Sequence, residues 1–311
     1  MLKQYQIVDN KVVESESSTA RIHVYISPDD EEKKHLLAAF NLDEHTLNSA
    51  LDPDEISRLE FEPDHVAMIF KRPKNYSSKD HFLFKVASVG LFLFKEHLIV
   101  VMTDDIQLFS GKLFARVTSL LDVALRLIGR TITHFMEHLK VINMITDSLE
   151  QKINTAMENK YLLNLFTLEK SLVYYLSAIS SNAMLIEKIK NNAAKLSLTP
   201  DNLDLLDDIT IENNQCNKQA EIYSNILSSL MDARASIVGN NLNILMKTLN
   251  IITICIMVPT LVVSMFSMNV EIPLNERSPY YFWLIMGLAI VSVAGFMFFW
   301  KRRTGHPLSH H

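Results

Sequence analysis

At 311 residues and 48% hydrophobic content, the chain can hold one sizeable soluble domain and still have apolar sequence left over. A formal charge of −5 with no basic patch offers no case for nucleic acid as a partner. The two cysteines, Cys216 and Cys255, exclude a disulfide framework and a cysteine-type zinc site, which fits a reducing cytoplasm.

Met1-Leu2-Lys3-Gln4-Tyr5 lacks the apolar core of a secretion signal, so the N-terminal part is expected to stay inside the cell. Residues 1–111 predict an α/β domain. Arg21–Ile26 alternates like a strand, and Ser27-Pro28-Asp29-Asp30 then supplies a cap, an early proline and acids for a helix start. A short helix follows near Asp43–Leu51 and ends at Asp52-Pro53. Further strands are predicted at Arg58–Phe61, His65–Lys71, Phe82–Ala87, Gly90–Phe94 and Leu98–Thr103, the last three as an antiparallel meander with a turn at Ser88-Val89-Gly90. No phosphate loop, glycine fingerprint or nucleophile elbow is present, and seven glycines in the whole chain leave little material for one.

From Lys112 the period turns helical. Leu113, Val117, Leu120, Ala124 and Ile128 trace one apolar face, a second helix is expected near Thr131–Met157 and a third over Tyr161–Ile189. Thr199-Pro200-Asp201 opens the next, with Thr199 as its cap. Between Pro200 and Pro259 there is no proline, and Gly239 is the one glycine. An unbroken helix of about 65 residues, near 100 Å long, is expected there, with Cys216, Ala220, Tyr223, Leu227 and Leu230 as its seam. Residues 112–243 are thus assigned to a helical stalk.

Residues 244–303 predict a membrane hairpin. Thr248–Val270 and Ser278–Trp300 carry no charge, and about 20 apolar residues suffice to cross a bilayer. The spans are placed at about 246–267 and 279–300, with a loop at 270–278 and a tail at 304–311. Lys247 and Lys301-Arg302-Arg303 mark the cytoplasmic side, so both termini are expected inside a multi-pass cell-membrane protein. Pro259 should weaken or kink the first span, and Gly287 and Gly295 are expected as packing points of the second. The first span carries a polar stripe, Asn243, Asn250, Thr253, Met257, Thr260, Ser264 and Ser267. Amides and hydroxyls are costly against lipid, so the stripe should face other helices or water. Copies of it surrounding a narrow polar path is one reading; hydroxyl packing between helices is the other.

Phe266-Ser267-Met268-Asn269-Val270 at the end of this span resembles the Tyr-Gly-Met-Asn signature of the CorA family of magnesium transporters. Asn243-Ile244-Leu245-Met246-Lys247-Thr248-Leu249 is likewise similar to that family's Asn-x-x-Met-Lys-x-Leu. Ser267 stands where the family has glycine, which removes the φ freedom of that position. The resemblance implies a homopentameric, funnel-shaped channel with an α/β cytoplasmic domain, stalk helices and a transmembrane hairpin. It implies an outer mouth of Ser267, Met268 and Asn269, polar rings at Asn243 and Thr260, and apolar constrictions at Leu249 and Met257. It also places a regulatory Mg²⁺ at Asp208 or the equally near Asp207. Mg²⁺ then enters as substrate and regulatory ligand, with no cofactor, and with lipid and other copies of the chain as partners. Zn²⁺, Co²⁺ or Ni²⁺ transport on the same fold is the alternative, as is a non-conducting sensor or scaffold. His134-Phe135-Met136-Glu137-His138 matches a zinc-hydrolase spacing, but a solvated helix face is the expected role, and no enzyme is assigned. His306, His310 and His311 are read as a tail.

Overall fold

The computed structural model describes all residues except 16, 18, 19, 77–80, 156–158, 269–279 and 305–311, and it describes no side chain at 154, 155, 159, 303 or 304. It divides into two compact units, Met1–Met231 and Asp232–His311.

Seven strands make one sheet in the first unit: β1 (Leu2–Val8), β2 (Lys11–Glu14), β3 (Ile22–Ile26), β4 (Arg58–Phe61), β5 (Val66–Pro73), β6 (Val86–Leu93) and β7 (Leu98–Met102). Their order is β2-β1-β3-β7-β6-β5-β4. The β3–β7 pair is parallel and every other pair is antiparallel. Strand alternation divides the apolar side chains between two cores. Ile22, Val24, Leu98, Val100 and Met68 face the long helices, whereas Tyr25, Ala67, Phe92, Ile99 and Val101 face two short ones. Those are α1 (Asp30–Phe40) and α2 (Glu44–Ser49). Asp29 caps α1 with a full capping box to Glu32, and Asp43 caps α2.

Two sequence expectations fail in the sheet. β1 and β2 form a hairpin that the composition of the N-terminus does not advertise. The expected turn at Ser88-Val89-Gly90 is absent, because β6 runs straight through it, paired on both sides. Gly90 serves close packing there: an added Cβ would stand 2.5 Å from Ala50 Cβ on the far side of the sheet.

The long helices are α3 (Leu120–Thr155), α4 (Asn159–Asn191) and α5 (Pro200–Phe266), and α6 (Tyr281–Thr304) closes the described chain. α3 is one helix where two were expected. Gly129 does not break it but lets α5 approach, since an added Cβ would lie 3.3 Å from Ile209. Thr199 caps α5 as expected, its Oγ1 accepting from Asn202 N at 3.2 Å. Cys216, Ala220 and Leu227 of the expected seam are buried, and burial raises the Cys216 thiol to about 12, so it is inert at neutral pH.

A buried polar clamp holds α4 to the sheet. β4 covers the β5 edge only from Val66 to Ile69, leaving the main chain of Lys71 without a strand on that side. Asn182 of α4, fully buried, takes the strand's place. Its Oδ1 accepts from Lys71 N at 2.8 Å and its Nδ2 donates to Lys71 O at 2.7 Å. The same Oδ1 accepts from Ser57 Oγ at 2.8 Å, and Ser181 Oγ accepts from Ser57 N at 2.7 Å.

Candidate functional site

The second unit contains the end of α5 and all of α6. Each has an 18-residue window of mean hydropathy above 2, and those windows are 0% and 6% buried. A core helix of a soluble protein would hide such a surface, so exposure together with apolarity points to lipid as the surrounding solvent.

The two helices touch along narrow faces. On α5 the half-buried positions are Ile251, Ile254, Cys255, Val258, Pro259, Val262 and Phe266. On α6 they are Tyr281, Ile285, Ser292, Val293, Phe296 and Trp300, with Ala289 buried at 6% exposure. Cys255 Sγ lies 3.8 Å from Met297 Sδ, and the Phe266 and Tyr281 rings are 6.4 Å apart. Ala289 is therefore the small residue at the contact. Gly287 and Gly295, expected to be packing points, have nothing within 4 Å of an added Cβ and face away.

The polar stripe avoids this contact. Asn243, Asn250, Thr253, Met257, Thr260, Ser264 and Ser267 are all exposed. At about 100° per residue, Thr253, Met257, Thr260, Ser264 and Ser267 centre roughly 180° around α5 from the face that meets α6. Asn250 and Asn243 follow with a gradual drift. Leu249 is exposed on the stripe's flank. Hydroxyl packing within the hairpin is thus not what the stripe does, since its own partner helix lies on the other side.

Three of the stripe's four hydroxyl protons are already committed. Thr253 Oγ1 donates to Leu249 O at 2.9 Å, Thr260 Oγ1 to Ile256 O at 2.6 Å and Ser267 Oγ to Val263 O at 3.2 Å. A hydroxyl has one donor and two lone pairs, so these side chains offer only acceptors outward. No carboxylate or other charge lies on the stripe.

At the C-terminal end of α5 Ser267 and Met268 are exposed, and Ser267 N donates to Ser264 O at 3.1 Å. Ser267 is not among the residues of positive φ, so the position needs no glycine and the lost φ freedom costs nothing here. Asn269, the loop and the three tail histidines lie outside the described residues. α5 is one helix with Pro259 inside it.

Two other sequence candidates resolve differently. Asp207 Oδ1 pairs with Lys190 Nζ at 2.5 Å within the chain, while Asp208 is exposed and carries no ion pair among the described residues. Asp208 is thus the freer carboxylate of the two. His134 and His138 correct the solvated-face expectation: both are half-buried, with rings 4.5 Å apart, and His138 Nδ1 is 2.7 Å from the Tyr175 hydroxyl. Burial first, then neighbouring positive charge, lowers both imidazoles to about 4. Glu137 is exposed and leans towards Arg130, and no group of three or more metal-ligating side chains occurs among the described residues.

These histidines predict a pH dependence. Folded values below the ordinary 6.5 mean that the unfolded chain binds more protons between pH 6.5 and 4. Stability contributed by the neutral rings is present above pH 6.5 and is lost as pH falls towards 4. The thermal midpoint of the purified protein should drop over that interval, and His138→Gln should flatten the slope. An unchanged slope would contradict the assignment.

The comparisons with known proteins follow the same lines. The family model described as CorA-like Mg²⁺ transporter protein matches residues 22–303. The cobalt/magnesium transport protein CorA of Methanocaldococcus jannaschii is 24% identical over 289 residues, covering 88% of each chain. The complete structure of the CorA magnesium transporter from that organism superposes with a TM-score of 0.80 at 22% identity, over 97% of this chain and 96% of that one. The full-length CmaX protein superposes with a TM-score of 0.72 at 15% identity over 97% of both.

Proposed function

The chain belongs to the CorA-like Mg²⁺ transporter family and is a transporter of divalent cations, not an enzyme; from that premise we propose that it conducts Mg²⁺ passively into the cell through a homopentamer. One stripe cannot enclose a path, so a closed ring of copies is required. The observation that carries this reading is the stripe on α5, turned away from α6 with the hydroxyl protons of Thr253, Thr260 and Ser267 used within the helix.

Mg²⁺ holds its waters tightly and dehydrates reluctantly. Those waters point their hydrogens outward, and a wall of oxygen acceptors receives them without removing the shell. Thr253, Thr260 and Ser267 present such oxygens, while the amides of Asn243, Asn250 and Asn269 add both donors and acceptors. Asn269, with the main chain of Met268 and Ser267, would select the ion at the outer mouth. Ser264 continues the wetted line, and Leu249 and Met257 are apolar constrictions that close by dewetting. A neutral wall fits an ion driven by the membrane potential, which supplies roughly 4–5 kcal/mol per 100 mV to a doubly charged ion at about 2.3 per charge. Cytoplasmic Mg²⁺ at Asp208, assisted by Asp207, would favour the closed state. The basic residues at the helix ends support a cytoplasmic position for both termini.

Flux into liposomes loaded with ion-sensitive dye, measured with Mg²⁺, Zn²⁺, Co²⁺ and Ni²⁺, tests the reading. Mg²⁺ flux in the parent protein, its loss in Asn269→Ala and retained transport with shifted ion preference in Ser267→Gly are the expected results. Preference for Zn²⁺ would assign the transition-metal alternative, and absence of flux for every ion would assign a scaffold.

A further inference from the structure

A cavity of about 330 Å³ lies in the first unit between the helix-facing side of the sheet and α3. Its floor is apolar, with Phe70, Val89 and Leu127, and its polar wall carries Arg72, Arg130, His134 and one carboxylate, Asp105, beside neutral groups such as Thr131. The size is that of a small-molecule site, and a few convergent polar groups over an apolar floor is how such sites are built.

Arg72 is the unusual member. It sits on β5 at 2% exposure, where a guanidinium is costly unless its donors are met. Nη2 donates to Asp104 at 2.5 Å and Nη1 to Pro73 O at 3.0 Å, but Nε is buried with no acceptor. Facing it from α3, Arg130 is only loosely paired with Glu137, at 3.4 Å. The carboxylates nearby are already answered: Asp105 by Lys3 at 2.7 Å, and Asp104 by both Arg72 and Lys74. Of the charged groups that line the cavity, Arg72 and Arg130 meet one carboxylate, Asp105, which is itself paired with Lys3 at 2.7 Å. His134, in the same wall, is held neutral first by burial and then by the charges of Arg130 and Arg72.

We propose that this cavity binds a small phosphate-bearing anion, held between Arg72 of the sheet and Arg130 of α3. Guanidinium donors suit the planar and tetrahedral faces of oxyanions, and Thr131 and His134 supply neutral hydrogen-bond partners beside them. The apolar floor would favour an organic body, such as a nucleoside, over free orthophosphate. The site is separate from the residues assigned to ion passage, so its test reads binding and not flux.

The purified full-length protein in detergent would be titrated calorimetrically with AMP and with orthophosphate in Mg²⁺-free buffer. Saturable binding at one site per chain is expected, at least tenfold tighter for AMP. Equal affinity for the two would keep the anion site and assign it to phosphate itself. Because Arg72 is buried and its loss endangers folding, the informative variant is Arg130→Gln, at a partly exposed position. It should weaken binding at least tenfold while leaving the thermal midpoint of the unliganded protein unchanged. Absence of saturable binding of either compound, or unaltered affinity in Arg130→Gln, would overturn the proposal.

Discussion

Thr260→Val should cut divalent-cation flux into liposomes at least about tenfold, while Thr248→Val leaves it unchanged. The two substitutions are chemically identical, and valine keeps the volume and branching of threonine. Both hydroxyls donate to the carbonyl four residues back, Thr260 to Ile256 at 2.6 Å and Thr248 to Ile244 at 2.9 Å. Both carbonyls keep their ordinary helical N–H partner after the change, so neither variant should disturb α5. Only the direction differs. Thr260 lies on the stripe, whereas Thr248 is about 140° away from the stripe's centre at 100° per residue. A hydrogen bond is worth about 1 kcal/mol net, and a ring repeats its loss once per subunit. At 1.4 kcal/mol per decade, a ring of several lost acceptors exceeds a tenfold effect even with partial compensation by water. Equal loss in the two variants would mean that helix stability, and not the exposed oxygens, governs flux. Full activity in Thr260→Val would remove the stripe from the ion's route.

The second large effect is expected at Asn182. Asn182→Ala orphans the N–H and C=O of Lys71 and the hydroxyl of Ser57 inside the first unit. Each buried unsatisfied group costs about 1–3 kcal/mol, and rearrangement around the small alanine should recover part of that, leaving about 2–4 kcal/mol. For a unit of this size the thermal midpoint should fall by about 5–15 °C. Asn182→Asp offers a graded comparison, because it keeps the acceptor for Lys71 N and Ser57 Oγ but cannot donate to Lys71 O. It should fall between the parent and the alanine variant. A midpoint within a degree of the parent for Asn182→Ala would show that water replaces the amide and that the clamp contributes little.

Much of this molecule is legible without coordinates because its strongest signals are contiguous. Two charge-free runs, a 3.6-residue period and caps such as Asp29, Asp43 and Thr199 are properties of neighbouring residues. The structure places helices with those caps and assigns apolar helices to those runs. The same local reading misjudged glycine. At Gly90 and Gly129 the missing side chain serves a close approach by a residue remote in sequence, Ala50 or Ile209, and not a turn or a break. At Ser267 it overstated the need for glycine, because the backbone there has no positive φ.

Composition and periodicity by themselves determined that residues 244–303 hold two helical runs long and apolar enough to cross a membrane and that one of them carries a polar stripe. Tertiary structure alone decided which side of that helix meets its partner, that His134 and His138 are packed instead of solvated, and that Asn182 completes a strand edge 111 residues away. The reason is physical. Hydrophobicity and helical period act through adjacent residues, whereas the facing of a side chain is set by whichever distant surface packs against it, and no neighbour in the chain records that choice.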